Sequence, residues 1–231
     1  MNKFYKFIKI TFGWAFKILY RMKVVNKENE PTTTPYIVCA NHTHVFDVVP
    51  TVVYLKPQVH FMAKKEVFKT PILGPFAKAM GAYSVDRGAG DIGAIKKTIE
   101  ILKNGECVCI FPQGTRSPYL DPREVSAKEG VGMIATRAEV GILPVCIRTK
   151  RNKVSLFRKT EFIIGEFLPP ERLEFPELHG KDKYKAIADL VYDKICDMNN
   201  QIERKPLSEK KIKKLKAKLE KKENKQRKNR K

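Results

Sequence analysis

Apolar positions along the chain fall into two rhythms. Short runs at Tyr36-Ile37-Val38-Cys39-Ala40, Val59-His60-Phe61-Met62-Ala63, Cys107 to Phe111 and Ile142-Leu143-Pro144-Val145-Cys146-Ile147 read as buried strands. Gly81 to Arg87 and Glu161 to Phe167 add two further strands. Between them, Ile92, Ile95, Ile99 and Leu102 recur at helical spacing within Asp91 to Asn104, and Asn104-Gly105 supplies a stop. Glu129 to Glu139 and Lys183 to Glu203 read as helices as well, the latter with Ile187, Leu190, Val191, Ile195 and Met198 on one side. Pro71-Ile72-Leu73-Gly74-Pro75 holds too many breakers for a long helix. Pro144 places its strand at an edge of the sheet or marks the strand's end. Strands alternating with helices predict an α/β domain: a mixed, largely parallel sheet flanked by helices, with ligand loops at the strand ends.

The first 23 residues follow a different pattern. On a helical wheel Lys3, Lys6, Lys9, Lys17 and Arg21 share one side, and Phe4, Phe7, Ile8, Phe12, Trp14, Ala15, Ile18, Leu19 and Met22 share the other. The longest uncharged run, Ile10 to Phe16, falls far short of the roughly 20 residues that span a bilayer. No small-residue cleavage site follows, which argues against a secretory signal. A basic amphipathic helix with aromatics on its apolar side predicts a segment lying in a membrane interface; the same pattern also describes an ordinary helix packed on the domain. The expected division is therefore a membrane-associating segment at 1–30, the α/β domain at 31–205 and a basic tail at 206–231.

Charge sharpens this picture. Lys and Arg outnumber Asp and Glu by 46 to 25, a net charge of +21, which calls for an anionic partner. From Glu203 to Lys231 there are 15 basic and 4 acidic residues, net +11. Ile212, Leu215 and Leu219 form a narrow stripe there, enough for a basic amphipathic helix that frays after Lys222. Such a tail suits anionic lipid, nucleic acid or plain solvation. Five cysteines without paired spacing do not read as a disulfide framework and favour a reducing compartment. Cys107 and Cys109 alternate, so both face one side of a strand as packing residues. No ligand cluster implies a metal or prosthetic group.

Chemistry concentrates in the loop after the first buried run, Asn41-His42-Thr43-His44-Val45-Phe46-Asp47. On one continuous helix a separation of five would splay His42 and Asp47 by about 140°. On a strand-loop-helix corner they can meet. A carboxylate that accepts one imidazole N–H fixes the tautomer, orients the ring and leaves the other nitrogen as a general base. Spacing alone allows His44 the same role, and Asp47 can equally cap the helix start that Pro50 signals.

Four such corners stand in order: Asn41-His42 with Asp47; Gly81 to Arg87; Phe111-Pro112-Gln113-Gly114-Thr115-Arg116; and Ile142-Leu143-Pro144-Val145. Together they resemble the glycerolipid acyltransferases, in particular the 1-acyl-glycerol-3-phosphate (lysophosphatidate) acyltransferases. The first matches the family's Asn-His-x4-Asp motif. The second matches its Gly-x4-Asp-Arg block, with Lys64 and Pro71-Ile72-Leu73-Gly74 upstream. The third is similar to its Phe-Pro-Glu-Gly-Thr-Arg-Ser block, and the fourth to its apolar-Pro block. The resemblance covers roughly residues 36 to 148. It implies that His42 is the base and Asp47 its partner, that His44 falls at a variable position, and that Asn41, Asp86 and Pro144 support the site. It further implies acyl transfer from acyl-CoA or acyl-carrier protein, as co-substrate, to the sn-2 hydroxyl of the lysophospholipid, with no cofactor.

In that setting Arg87 and Arg116 suit a phosphate monoester, which a guanidinium grips through two oxygens. Gly114 lets the backbone approach the ligand, and the Thr115 hydroxyl can donate to it. Gln113 stands where the family usually has Glu; its amide keeps the acceptor oxygen and loses the charge, so a glycerol hydroxyl remains a fitting ligand. The implied location is the cytoplasmic face of the cell membrane, peripheral or monotopic, on anionic lipid. Alternative acceptors are another lysophospholipid or glycerol 3-phosphate. A basic nucleic-acid-binding module is the alternative of another class, but no aromatic-basic strand motif supports it, and nucleic acid is not expected as a partner.

Overall fold

The structure is a computed structural model and describes residues 3–33, 35–85, 92–200 and 208–228. In chain order its elements are α1 (Lys3–Leu19), β1 (Met22–Val25), β2 (Tyr36–Ala40), α2 (Val48–Tyr54), β3 (Val59–Lys64), α3 (Lys65–Phe68), α4 (Leu73–Ala79), β4 (Ala82–Val85), α5 (Ile92–Lys103), β5 (Cys107–Ile110), α6 (Gly130–Ala138), β6 (Gly141–Thr149), β7 (Thr160–Ile164), α7 (Gly180–Asn199) and α8 (Glu209–Lys228). Among the described residues the seven strands form one sheet in the order β1-β7-β6-β2-β5-β3-β4. Every neighbouring pair is parallel except β6 and β7. The sheet is thus mixed and mostly parallel, as the alternation of patterns predicts.

Period-2 alternation divides the sheet between two cores. Ile37, Cys39, Val108, Ile110, Ile142 and Cys146 face α5, α6 and α7, meeting Leu102, Val131, Ile134, Ile187, Val191 and Ile195. Tyr36, Val38, Ala40, Cys107, Cys109, Leu143 and Val145 face the other way, toward Phe16, Tyr20 and Leu55. Cys107 and Cys109 do share a face, in that second core. β2, β5 and β6 are buried on both faces, which explains their uninterrupted apolar runs. On α6, Gly132 lets α7 come close: a Cβ there would lie 2.1 Å from the Tyr184 carbonyl oxygen.

Three sequence expectations differ from the fold. Met22–Val25 belongs to the sheet, paired with β7 from Met22↔Thr160 to Val25↔Ile163, so the segment 1–30 is not wholly an appendage. Pro144 lies inside a central strand, between β2 and β7. Its carbonyl accepts from the Gly165 N–H at 2.8 Å, so its hydrogen-less nitrogen faces that same side. There β7 has ended at Ile164, and the chain re-pairs only at Leu168 opposite Ile142. A proline is accommodated where the ladder is already broken. The tail helix α8 continues to Lys228, past the expected fraying point.

α1 combines the two readings of its wheel. Tyr5, Ile8 and Phe16 are buried, the Tyr5 hydroxyl accepts from the Val59 N–H at 3.0 Å, and Lys9 Nζ donates to the carbonyls of Leu55 and Lys56. Burial raises the Tyr5 hydroxyl to about 12, so it stays a neutral fixture of this joint. Phe4, Phe7, Trp14 and Ile18 are nevertheless exposed, with Lys3, Lys6 and Lys17 beside them. No described helix is long and apolar enough to cross a membrane.

Candidate active site

Parallel strands put their C-terminal ends on one edge, and the first and third corners leave β2 and β5 there as immediate neighbours. β2 is also where the chain order reverses: β3, β4 and β5 lie to one side and β6 to the other. Open α/β sheets bind ligands at such a switch point.

Beyond Ala40 the chain is held to β6 by Asn41, whose Oδ1 accepts from the Ile147 N–H at 2.7 Å and whose Nδ2 donates to the Ile147 carbonyl at 3.1 Å. Asn41 is buried, so both bonds are made without competing water. Asn41→Ala strands a buried donor and a buried acceptor, each costing about 1–3 kcal/mol. It is expected to lower stability by about 2–4 kcal/mol in urea unfolding, with an unchanged midpoint ruling out this tie.

Asp47 closes the corner. Its carboxylate is fully buried, and Oδ2 accepts from the N–H groups of Thr43 at 2.5 Å and His44 at 2.6 Å and lies 3.0 Å from His42 Nδ1. The side chain does not cap α2. It instead completes a capping box around the short 3-10 turn Val45–Asp47, in which His44 Nδ1 accepts from the Phe46 N–H at 3.4 Å. So the two histidines part by geometry: His42 engages the carboxylate, and His44 serves the backbone. Burial holds His44 below the usual imidazole range, against the pull of Asp47, with Lys153 and Arg116 adding to the depression.

The His42 ring is half-buried and stacks on Phe111 at the end of β5, with centroids 4.1 Å apart and planes 16° apart. Asp47 on the Nδ1 edge and Phe111 on the face leave the imidazole one orientation. Gln113 joins the two corners: its Oε1 accepts from the His42 N–H at 2.5 Å and its Nε2 donates to Ser117 Oγ. The Ser117 N–H donates back to the His42 carbonyl at 2.9 Å. Gln113 is 2% exposed and both ends of its amide are engaged within the protein, which makes it a splint between loops. A carboxylate accepts the same His42 N–H, and the Ser117 hydroxyl can turn round to donate to it. Gln113→Glu is therefore expected to keep turnover within about tenfold of wild type, one modest hydrogen-bond exchange; complete loss would show that the neutral amide is required.

Gly114 follows in the left-handed region at φ 68°, and Thr115 is buried with its Oγ1 lacking a hydrogen-bond partner in the protein. Arg116 projects from the exposed side of the same turn. Pro144 sits in β6 directly across from Cys39 of β2. Asp86 and Arg87 lie outside the described residues. Ser117, Phe111 and Thr43 are participants to which the sequence alone gives no role. Ser117 is visible there only as a member of the Phe111-to-Ser117 block, and Phe111 only as the last apolar residue of a strand.

Cys39, two residues before Asn41, is buried in the strand, and burial holds its thiol well above the usual range. Burial likewise raises Cys107, Cys109 and Cys196 to about 12. With a pKa near 12, the thiolate fraction at pH 8 is only about one part in 10⁴. All five cysteines are buried and none forms a disulfide. Iodoacetamide at pH 8 is thus expected to label the native protein negligibly and the urea-unfolded protein fully; rapid native labelling with loss of activity would point to a reactive cysteine such as Cys39. Among the described residues no three His, Cys, Asp or Glu side chains group as metal ligands.

Comparison with known proteins agrees with this geometry. The acyltransferase family model matches residues 21–148, which contain all four corners. A 1-acyl-sn-glycerol-3-phosphate acyltransferase of Bacillus subtilis is 32% identical over 203 residues, spanning 87% of this chain and 99% of that protein. The Escherichia coli protein of the same name is 27% identical over 188 residues, covering 75% of this chain and 72% of its own length. Among solved structures, the 1-acyl-sn-glycerophosphate acyltransferase PlsC from Thermotoga maritima superimposes with a TM-score of 0.62 at 25% identity, over 87% of this chain and 80% of that one. With its His42–Asp47 corner on the switch-point edge of a sheet shared with that structure, the chain belongs to the acyltransferase family.

Proposed function

We propose that this protein is an O-acyltransferase that moves a fatty acyl group from acyl-CoA or acyl-carrier protein to the sn-2 hydroxyl of 1-acyl-glycerol 3-phosphate, forming phosphatidate. The observation that carries the reading is the 3.0 Å pairing of His42 Nδ1 with a fully buried Asp47, splinted by Gln113 to the turn that holds Thr115 and Arg116. With Nδ1–H held by the carboxylate, Nε2 takes the acceptor's hydroxyl proton as its oxygen attacks the thioester carbonyl. Collapse of the tetrahedral adduct breaks the C–S bond, and the imidazolium returns the proton to the departing thiolate. No acyl-enzyme forms. Thr115, Arg116 and Arg87 bind the acceptor's phosphate, while Asn41, Asp86 and Pro144 shape the edge around it.

The protein works on the cytoplasmic face of a membrane as a peripheral or monotopic protein. Supporting this, Phe4, Phe7, Trp14 and Ile18 of α1 are exposed, as are Ile72, Leu73 and Phe76 around the start of α4, and Phe4 meets Phe76 edge-on at 6.2 Å. Apolar surface of this kind, rimmed by lysines, suits a lipid interface. The buried side of the same helix meets the catalytic corner, where Phe16 packs edge-on against the exposed Phe46 at 6.3 Å. The lysine-rich outer side of α8 adds an attraction to anionic lipid.

The test is to incubate the purified protein with labelled acyl-CoA or acyl-carrier protein and, separately, lysophosphatidate, lysophosphatidylglycerol and glycerol 3-phosphate. Faster labelling with lysophosphatidate, giving phosphatidate, than with either other acceptor is the expected result; preference for either other acceptor reassigns the substrate, and inertness with all of them removes the enzyme reading. Co-sedimentation with anionic vesicles, weakened by salt and by Trp14→Glu, is expected alongside; sedimentation indifferent to both would remove α1 from the lipid contact.

A further inference from the structure

The turn Gly114-Thr115-Arg116 is overlaid by a residue that no motif of the chain singled out. Lys128, just ahead of α6, is tied to the turn by its own backbone, its N–H donating to the Pro112 carbonyl at 2.9 Å. Its side chain then runs across Gly114: a Cβ on that glycine would lie 3.0 Å from Lys128 Cδ and 3.1 Å from both Cε and Nζ. Glycine is favoured at position 114 by its positive φ, and a side chain there would also have to displace the lysine stem by a few tenths of an ångström. The ammonium is delivered onto the turn whose next two residues are the buried Thr115, with an Oγ1 that has no partner in the protein, and the exposed Arg116. A buried hydroxyl without a partner is costly unless a ligand satisfies it. A cation, a hydroxyl and a guanidinium on one turn are the donor set that a phosphate monoester dianion needs.

We propose that Lys128 is a substrate-binding residue that grips the acceptor's phosphate together with Thr115 and Arg116, and so selects a phosphate monoester over a phosphodiester headgroup. This rests on the acyl-transfer reading above. The backbone tie to Pro112 fixes where the stem starts, and Gly114 leaves room for it to lie across the turn, so an exposed ammonium is brought over Gly114. A monoester dianion can accept from all three donors, whereas a headgroup esterified at the phosphate carries one charge fewer and an added bulky substituent at that point.

The experiment measures kcat and KM for lysophosphatidate and for lysophosphatidylglycerol in mixed micelles, with wild type, Lys128→Met and Lys128→Arg. Methionine keeps the apolar stem across Gly114 and removes the charge. The expected result for Lys128→Met is a KM for lysophosphatidate raised about ten- to hundredfold, the effect of one charge-assisted hydrogen bond, with kcat nearly unchanged and lysophosphatidylglycerol turnover unaffected. Inorganic phosphate should compete with lysophosphatidate in wild type and much less in Lys128→Met, and Lys128→Arg should recover part of the loss. An unchanged KM in Lys128→Met, or equal losses for both acceptors, overturns the proposal while leaving the acyl-transfer reading intact. Wild type that turns over neither acceptor overturns that reading itself. A melting curve for each variant separates lost binding from lost folding: a Lys128→Met protein that melts as wild type yet keeps its KM counts against the inference, and one that unfolds assigns the lysine to structure instead.

Discussion

His42→Ala is expected to lower kcat/KM for lysophosphatidate by about 10²- to 10⁴-fold, the span that a positioned general base contributes. The fold should survive the change. Asp47 keeps the Thr43 and His44 N–H donors when the ring is gone, and the Asn41, Gln113 and Ser117 ties to the corner use backbone atoms that alanine retains. A melting temperature within a few degrees of wild type is therefore expected beside the activity loss, since about 1 kcal/mol moves the midpoint of a chain this size by about 2–4 °C. His44→Ala makes the contrast. That ring accepts one 3.4 Å bond from Phe46, so its loss should cost activity only through slight loosening of the turn. Should His44→Ala be the inactive variant and His42→Ala the active one, the assignment of the base falls.

Asp47 is the second position where a large effect is expected, and two substitutions there should separate two roles. Asp47→Ala removes a fully buried acceptor for the buried Thr43 N–H, the partly buried His44 N–H and the His42 ring. Orphaned donors at about 1–3 kcal/mol each give a loss of about 3–5 kcal/mol, or a midpoint lowered by about 10 °C. Asp47→Asn keeps one acceptor oxygen where the N–H groups converge and gives up the negative charge that steadies an imidazolium. It is expected to melt close to wild type and to lose at least about 10²-fold in kcat. Equal loss of stability in the two variants would mean that the charge is needed for the fold; full activity in Asp47→Asn would mean that His42 needs no anionic partner.

Much of this site can be read from the residues because the sheet is parallel. Buried runs on both sides of turn-rich corners demand strands covered by helices, and parallel strands deliver consecutive corners to one edge. That logic puts Asn41 to Asp47 and Phe111 to Arg116 at strand ends, and the pairing of β2 with β5 then makes them neighbours although 71 positions separate His42 from Gln113. What sequence does not supply is which atoms each polar side chain spends on the protein itself. Gln113 looks like a ligand-facing amide, yet both of its ends are committed to loops. Asp47 looks like a cap for α2, and caps the preceding turn instead. The usual proline rule fails at Pro144 because the neighbouring strand has already ended opposite it. For α1, a wheel sorts side chains by polarity but not by what they pack on, so Tyr5 and Lys9 are invisible as anchors.

Anchoring of that kind has a consequence for where chemistry happens. A helix attached by flexible chain would let the catalytic body tumble above a lipid surface, and each acceptor would have to leave the bilayer to be reached. Here Tyr5, Lys9 and Phe16 fasten α1 to the strands and loops behind it, and Phe16 touches Phe46 only four residues from His42. Helix and base therefore move as one body. At a bilayer, the depth to which Phe7 and Trp14 sink would set the height of the imidazole above the glycerol backbones, and a substrate whose hydroxyl rides at that height could enter sideways and depart with its second chain without being lifted out.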